Sequence, residues 1–124
     1  MKNANLKIFE LLSPKYERDN IKLGLSRIKK ALQELGNPCK NIPAIQIIGT
    51  NGKGSIAAYL ESILFEAKRN FGVTTSPHLL DVCERIRVNK KNINETDFEK
   101  IYSLIEKNFS TFELTPFEKI ICCA

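Results

Sequence analysis

The residues with the clearest chemical meaning lie in one stretch, Ile47-Ile48-Gly49-Thr50-Asn51-Gly52-Lys53-Gly54-Ser55. A hydrophobic run enters a glycine-rich turn, and a lysine and a hydroxyl follow where a helix should begin. Glycines let backbone N–H groups converge on an anion without a Cβ in the way. A helix start adds unpaired N–H donors and the positive end of its dipole. Such a turn suits a polyphosphate. Asn51, Gly52, Lys53, Gly54 and Ser55 would cradle phosphate oxygens, with the Lys53 ammonium on the β- and γ-phosphates and the Ser55 hydroxyl on Mg²⁺. The match to G-x-x-x-x-G-K-[ST] is imperfect, because Ile47 stands where the first glycine falls and Gly54 takes the place of the hydroxyl residue. A chance glycine–lysine turn is the competing reading, and the strand and helix patterns on either side argue against it.

The elements that must position this turn follow from periodicity. Pro43 opens Ala44-Ile45-Gln46-Ile47-Ile48, a β-branched run suited to a buried parallel strand. Ile56, Leu60, Ile63, Leu64 and Ala67 recur at helical spacing and predict a helix over 53–68. Residues 71–75 read as the next strand, so 45–75 has the length and order of a βαβ unit with a right-handed crossover. The expected fold is α/β with a P-loop-type parallel βαβ core. Upstream, an apolar patch (Leu6, Ile8, Phe9, Leu11, Leu12) is broken by Ser13-Pro14, and Leu25, Ile28, Leu32 and Leu35 mark a helix stopped by Gly36-Asn37-Pro38. Downstream, 76–85 is a loop holding Pro77 and the single histidine, His78. Ile86 and Val88 alternate with Arg87 and Asn89, and Lys90-Lys91-Asn92 can turn the chain back. Asn94 caps a helix carrying Phe98, Ile101, Leu104 and Ile105. Thr115, Pro116 and Glu118 spell a capping box with proline at the first helical position. That helix starts about two turns before Ala124, and two main strands plus a hairpin are fewer than a doubly wound sheet carries, so an incomplete domain is expected.

Composition narrows the partners. The 124 residues are 43% hydrophobic and 27% charged, which argues against disorder as the dominant state. No apolar run approaches the roughly 20 residues of a membrane span, and the N-terminal residues lack a signal-peptide pattern. The charge of +5 is modest, and its densest spots (Arg27, Lys29, Lys30 and Arg85, Arg87, Lys90, Lys91) are interleaved with apolar positions. Solvated faces explain them better than a nucleic-acid stripe, whose affinity would fall steeply with salt and ignore Lys53. Cys39, Cys83, Cys122 and Cys123 form no C-x-x-C pair, so reduced thiols in a cytoplasmic protein are expected. Cys122 and Cys123 read as small core residues.

Gly49-Thr50-Asn51-Gly52-Lys53-Gly54-Ser55 resembles the G-T-N-G-K-G-[ST] phosphate loop of folylpolyglutamate and dihydrofolate synthases, within the Mur ligase superfamily. Cell-wall relatives typically carry G-K-T-[ST], so Gly54 favours the folate branch over a cell-wall ligase. Further stretches agree in order: Leu23-Gly24-Leu25-Ser26-Arg27 with L-G-L-x-R, Leu35-Gly36-Asn37-Pro38 with L-G-N-P, Thr75-Ser76-Pro77-His78-Leu79 and Glu84-Arg85-Ile86 with T-S-P-H-L…E-R-I, and Thr115-Pro116-Phe117-Glu118 with T-x-F-E. The resemblance spans about residues 20–124. It implies an ATP-dependent carbon–nitrogen ligase that activates a carboxylate as an acyl phosphate and joins it to L-glutamate. The substrate would be dihydropteroate or a folate, in an enzyme that is monomeric when whole and binds neither nucleic acid nor membrane. By carry-over, residues 51–55 hold ATP, Ser76 ligates the magnesium, and Thr115, Pro116, Phe117 and Glu118 line the pterin end of the folate site. Asn20, Ile21, Lys22 and Leu23 align with a pterin-contacting segment. Arg85 would either meet an anionic substrate group or sit solvated on a strand edge. Catalytic residues proper remain unassigned. Residues 1–124 would be the N-terminal portion of the ATP-binding domain, without the C-terminal glutamate-ligase domain, the second acidic magnesium ligand, the magnesium histidine or the modified lysine. A fragment of that kind would not turn over. A stand-alone nucleotide-binding module is the competing reading. Two departures bear on the folate pocket: Val82-Cys83 stand where the family often has an aromatic residue and Asn, and Gln46 replaces a frequent histidine.

Overall fold

The computed structural model describes Leu12 and residues 21–124. The chain divides into two compact units, Met1–Lys40 with Asn94–Ala124, and 41–93. The predicted patch at residues 6–11 and Asn20 lie outside the described residues.

The first unit is helical. Helix α1 (Ser26–Glu34) ends in a Schellman turn: Gly36 N–H donates to Gln33 O (2.9 Å), and Asn37 N–H to Leu32 O (2.8 Å). Gly36 has φ +78°, which makes the predicted glycine stop a conformational requirement. Beyond the second unit, α3 (Glu95–Asn108) starts under its Asn94 cap and buries Phe98, Tyr102 and Ile105, one stripe at helical spacing. Phe98 and Tyr102 stack at 5.9 Å between ring centroids. A short 3₁₀ turn (Ser110–Phe112) leads to α4 (Pro116–Cys123). Ala31, Ile105, Phe109 and Leu114 form the core, with Cys122 and Cys123 packed against it as small residues. Burial pushes the Cys123 thiol up to about 12, with Cys122 beside it adding to the effect.

The second unit carries helix α2 (Lys53–Glu66) and a three-stranded sheet, β1 (Gly72–Thr74), β2 (Ile86–Val88) and β3 (Lys91–Asn92), in that order. A 3₁₀ turn (Val82–Arg85) precedes β2. Helix and sheet together give the expected α/β class, but the ladder differs from the expected one. β1 pairs with β2 antiparallel, Gly72 opposite Val88, and β2 pairs with β3 antiparallel. Residues 44–48 form no strand, and Ile45 and Ile48 are 70% and 80% exposed. The parallel pairing of that run with 71–75 is therefore corrected. A β-branched sequence specifies an extended chain, yet a strand exists only where a neighbour supplies hydrogen bonds, and none of the described strands does so here. The hairpin turn lies one residue earlier than expected, at Asn89 and Lys90, both at positive φ (50° and 69°) as a two-residue type I′ loop requires.

Candidate nucleotide-binding site

Helix α2 begins where the lysine and hydroxyl pattern placed it. Its N-cap is Gly52, at φ +77°, and no side chain caps the first turn. The leading N–H groups of a helix have no intrahelical acceptor, so those of Lys53, Gly54 and Ser55 face outward from an exposed loop. Gly49 is also left-handed, at φ +144°. A Cβ built on Gly52 or Gly54 would meet nothing within 4 Å, so the space before the loop is open. The Lys53 ammonium curls back over the turn and donates to Gly49 O (2.6 Å) and Thr50 O (3.2 Å). Anion-seeking donors and a cation thus share one exposed loop, an arrangement that suits a polyphosphate.

Farther along this unit, the exposed Ser76 opens a turn that is wired from within. The Glu84 carboxylate accepts from the N–H groups of Leu79 (2.8 Å), Leu80 (3.1 Å) and Asp81 (3.0 Å). Leu79's N–H does most to hold that carboxyl below its ordinary range, with Asp81 and Leu80 adding to it. Asp81 caps in return, accepting from Cys83 N–H at 2.7 Å. Arg85 is fully buried, and its Nε donates to His78 Nδ1 at 2.9 Å. It is not a solvated strand-edge residue. Its position holds His78 from behind, with the imidazole nitrogen acting as acceptor.

The first unit gathers the residues carried over for the pterin end. Thr115 and Glu118 close the predicted capping box, with Thr115 N–H to Glu118 Oε2 at 2.8 Å and Glu118 N–H to Thr115 Oγ1 at 3.2 Å. Arg27 lays its guanidinium on the same carboxylate, Nε and Nη2 each at 3.3 Å, and Nη2 also reaches Lys22 O at 2.7 Å. Lys22 Nζ pairs with Glu113 at 3.2 Å. The 21–23 segment and the 115–118 turn are therefore brought together, with Ile21, Leu23 and Phe117 exposed. Burial alone would push the Glu118 carboxyl up, but the Thr115 and Arg27 hydrogen bonds outweigh it and hold it below the usual range. A shallow cleft of about 300 Å³ opens beside Arg27, lined also by Ser26, Lys30, Thr111 and Phe112.

Two residues that matter here were missed as site residues. Arg27 carried a signal as the arginine of the L-G-L-x-R stretch. Glu61 carried one as a carboxylate set between the apolar residues Leu60 and Ile63-Leu64 in mid-helix: α2 buries Ala57 and Glu61, with Leu60 and Leu64 half-buried, while Ile56 and Ile63 stay exposed. The buried stripe is rotated from the one the isoleucines suggested.

No protein-family model matches the chain. Among curated proteins, the dihydrofolate synthetase of Saccharomyces cerevisiae is 40% identical over 106 residues, 84% of this chain and 25% of that protein. This chain is a relative of the folylpolyglutamate and dihydrofolate synthases. It spans about a quarter of the length of the synthases it matches. A folylpolyglutamate synthase from Mycobacterium tuberculosis, complexed with ADP, superimposes with a TM-score of 0.85 at 29% identity, over 98% of this chain and 28% of the synthase. A bifunctional folylpolyglutamate/dihydrofolate synthase with Mn, AMPPNP and L-glutamate bound gives 0.79 at 34% identity, over 98% of this chain and 28% of its own. Among the described residues of this relative of the synthases, no helix is long and apolar enough to cross a membrane, and no three His, Cys, Asp or Glu side chains cluster to hold a metal.

Proposed function

We propose that the loop over 49–55 binds the polyphosphate of ATP together with Mg²⁺, and that this chain is the nucleotide-binding portion of a ligase joining L-glutamate to dihydropteroate or to folates. The observation that carries the reading is the start of α2: an exposed, uncapped first turn on a left-handed glycine, with a lysine ammonium already over the loop. The nucleotides, manganese and glutamate held by the similar synthases support it.

Bound ATP would supply its γ-phosphoryl group to a substrate carboxylate, releasing ADP and giving an acyl phosphate, from which the glutamate amine would displace inorganic phosphate to form the amide. The task of this chain's residues is positioning and charge neutralisation. Backbone N–H groups of residues 52–55 would meet phosphate oxygens, and Lys53 would leave its two carbonyls for them. The hydroxyls of Ser55 and Ser76 are neutral, so they fit Mg²⁺ only as minor ligands alongside phosphate oxygens and water. In the first unit, Glu118 spends its oxygens on Arg27 and Thr115. Its role at a pterin end would be to hold Thr115, Pro116 and Phe117 beside Ile21, Lys22 and Leu23. With this reading go small-molecule partners rather than nucleic acid or membrane, a cytoplasmic location and a monomeric whole enzyme.

Titration calorimetry of this chain with MgATP tests the site. Lys53→Ala is expected to weaken binding about a hundredfold, about 2.7 kcal/mol. Undiminished binding by that variant would overturn the assignment. The 124 residues alone, about a quarter of the length of the similar synthases, are expected to bind without turning over. Glutamate-dependent ATP hydrolysis at a rate typical of enzymes, about 1 s⁻¹ or more, would contradict that.

A further inference from the structure

Helix α2 is fastened to its own sheet in an unusual way. Four of its large apolar side chains (Ile56, Tyr59, Ile63 and Phe65) are exposed, and its buried positions are Ala57 and the carboxylate of Glu61. Arg87 of β2 forks onto that carboxylate, Nε to Oε2 at 3.3 Å and Nη2 to Oε1. The remaining nitrogen, Nη1, donates to Glu84 O at 2.6 Å and to Thr75 Oγ1 at 3.3 Å. Thr75 directly precedes Ser76, and Glu84 is the residue whose side chain organises the 79–81 turn. Glu61 lies about two turns along the helix from Lys53. One planar guanidinium therefore ties the helix that opens with the phosphate loop to both ends of the turn that opens with Ser76.

An ion pair largely withdrawn from water is a poor choice where only stability is wanted, because apolar side chains of similar volume usually serve as well or better. What the fork adds is direction. A guanidinium bound on three edges fixes both the rotation and the axial position of the helix, which sliding isoleucines would leave free. We infer that the Glu61–Arg87 fork is a positioning device that sets Lys53 and Ser76 at the spacing a metal–polyphosphate requires. The inference rests on the nucleotide reading above and assigns the pair no contact with ligand.

Two measurements on the 124-residue chain test it. The first is amide hydrogen exchange without any ligand. Glu61→Gln and Arg87→Lys should each speed exchange at residues 79–85 at least tenfold while leaving α3 unchanged. The second is ATP affinity with Mg²⁺ and with EDTA. Each variant should lose about tenfold of the affinity gained on adding metal and keep its metal-free affinity within about twofold. Thr75→Val, which alters no charge and no Glu61 contact, should give the same pattern at smaller amplitude and guards against variants that merely unfold. Equal losses with and without metal, or exchange that rises across the whole chain in all three variants, would reduce the fork to a structural brace and overturn the inference. If the unaltered chain binds no ATP, the nucleotide reading is what fails, and the exchange arm still decides for or against the coupling.

Discussion

At Thr115 the first turn of α4 closes on itself: hydroxyl and carboxylate exchange hydrogen bonds with each other's backbone, proline fills the first position, and Arg27 neutralises the carboxylate. At Gly52 the first turn of α2 does none of this, and a lysine rests on loop carbonyls instead. The two starts face the same deficit of acceptors and resolve it differently. Where the donors are satisfied from within, the turn contributes stability. Where they are left open beside a cation, the turn is available to an anionic ligand. Residues alike in propensity thus separate by whether their polar groups are already engaged.

Gly54→Ala strains that contrast most. A Cβ there meets no atom of the protein, and alanine is the better helix former, so stability should rise by about 0.5–1 kcal/mol. The same methyl stands before the loop, so ATP affinity should fall about a hundredfold, about 2.7 kcal/mol. Thermal unfolding and calorimetry moving in the same direction would break the comparison. Thr115→Ala should do the reverse of the stabilising half, costing about 1 kcal/mol by loss of a cap, read from urea unfolding. The smallest effect is a pH dependence. Glu118 has its folded carboxyl held below the ordinary value of 4.5, so its contribution is complete above that range and is lost as pH falls through the folded value. Acid unfolding of the chain should show this limb below about pH 4, and Glu118→Gln should flatten it. A variant as acid-sensitive as the parent would mean that other carboxylates dominate.

Much of this was legible in residue types. The caps at Asn94 and Thr115, the glycine stop of α1 and the start of α2 are local events, decided by side chains within a few residues of the backbone they serve. Pairing is not local. Ile45 and Ile48 advertise a strand as well as Ile86 and Val88 do, and only the latter find a ladder among the described residues. The pairing of charge was equally hidden: Arg85 and Arg87 read as solvated residues, yet one is fully buried against His78 and the other half-buried against Glu61. Only the folded positions of partners 7 and 26 residues away decide that. In the candidate site, the loop was written in the sequence, whereas the guanidinium that steadies it became visible only in three dimensions.

The grip of Lys53 on Gly49 and Thr50 would make the loop a threshold rather than a plain attractor. On the proposed nucleotide reading, an incoming anion would have to draw the ammonium off two carbonyl oxygens, so the free energy released would be a difference between two satisfied states. A lone orthophosphate offers little more than the carbonyls it displaces, while a chain of phosphates also engages the helix amides. Discrimination by length of the anion would then be built into the resting conformation, ahead of any contact with base or sugar.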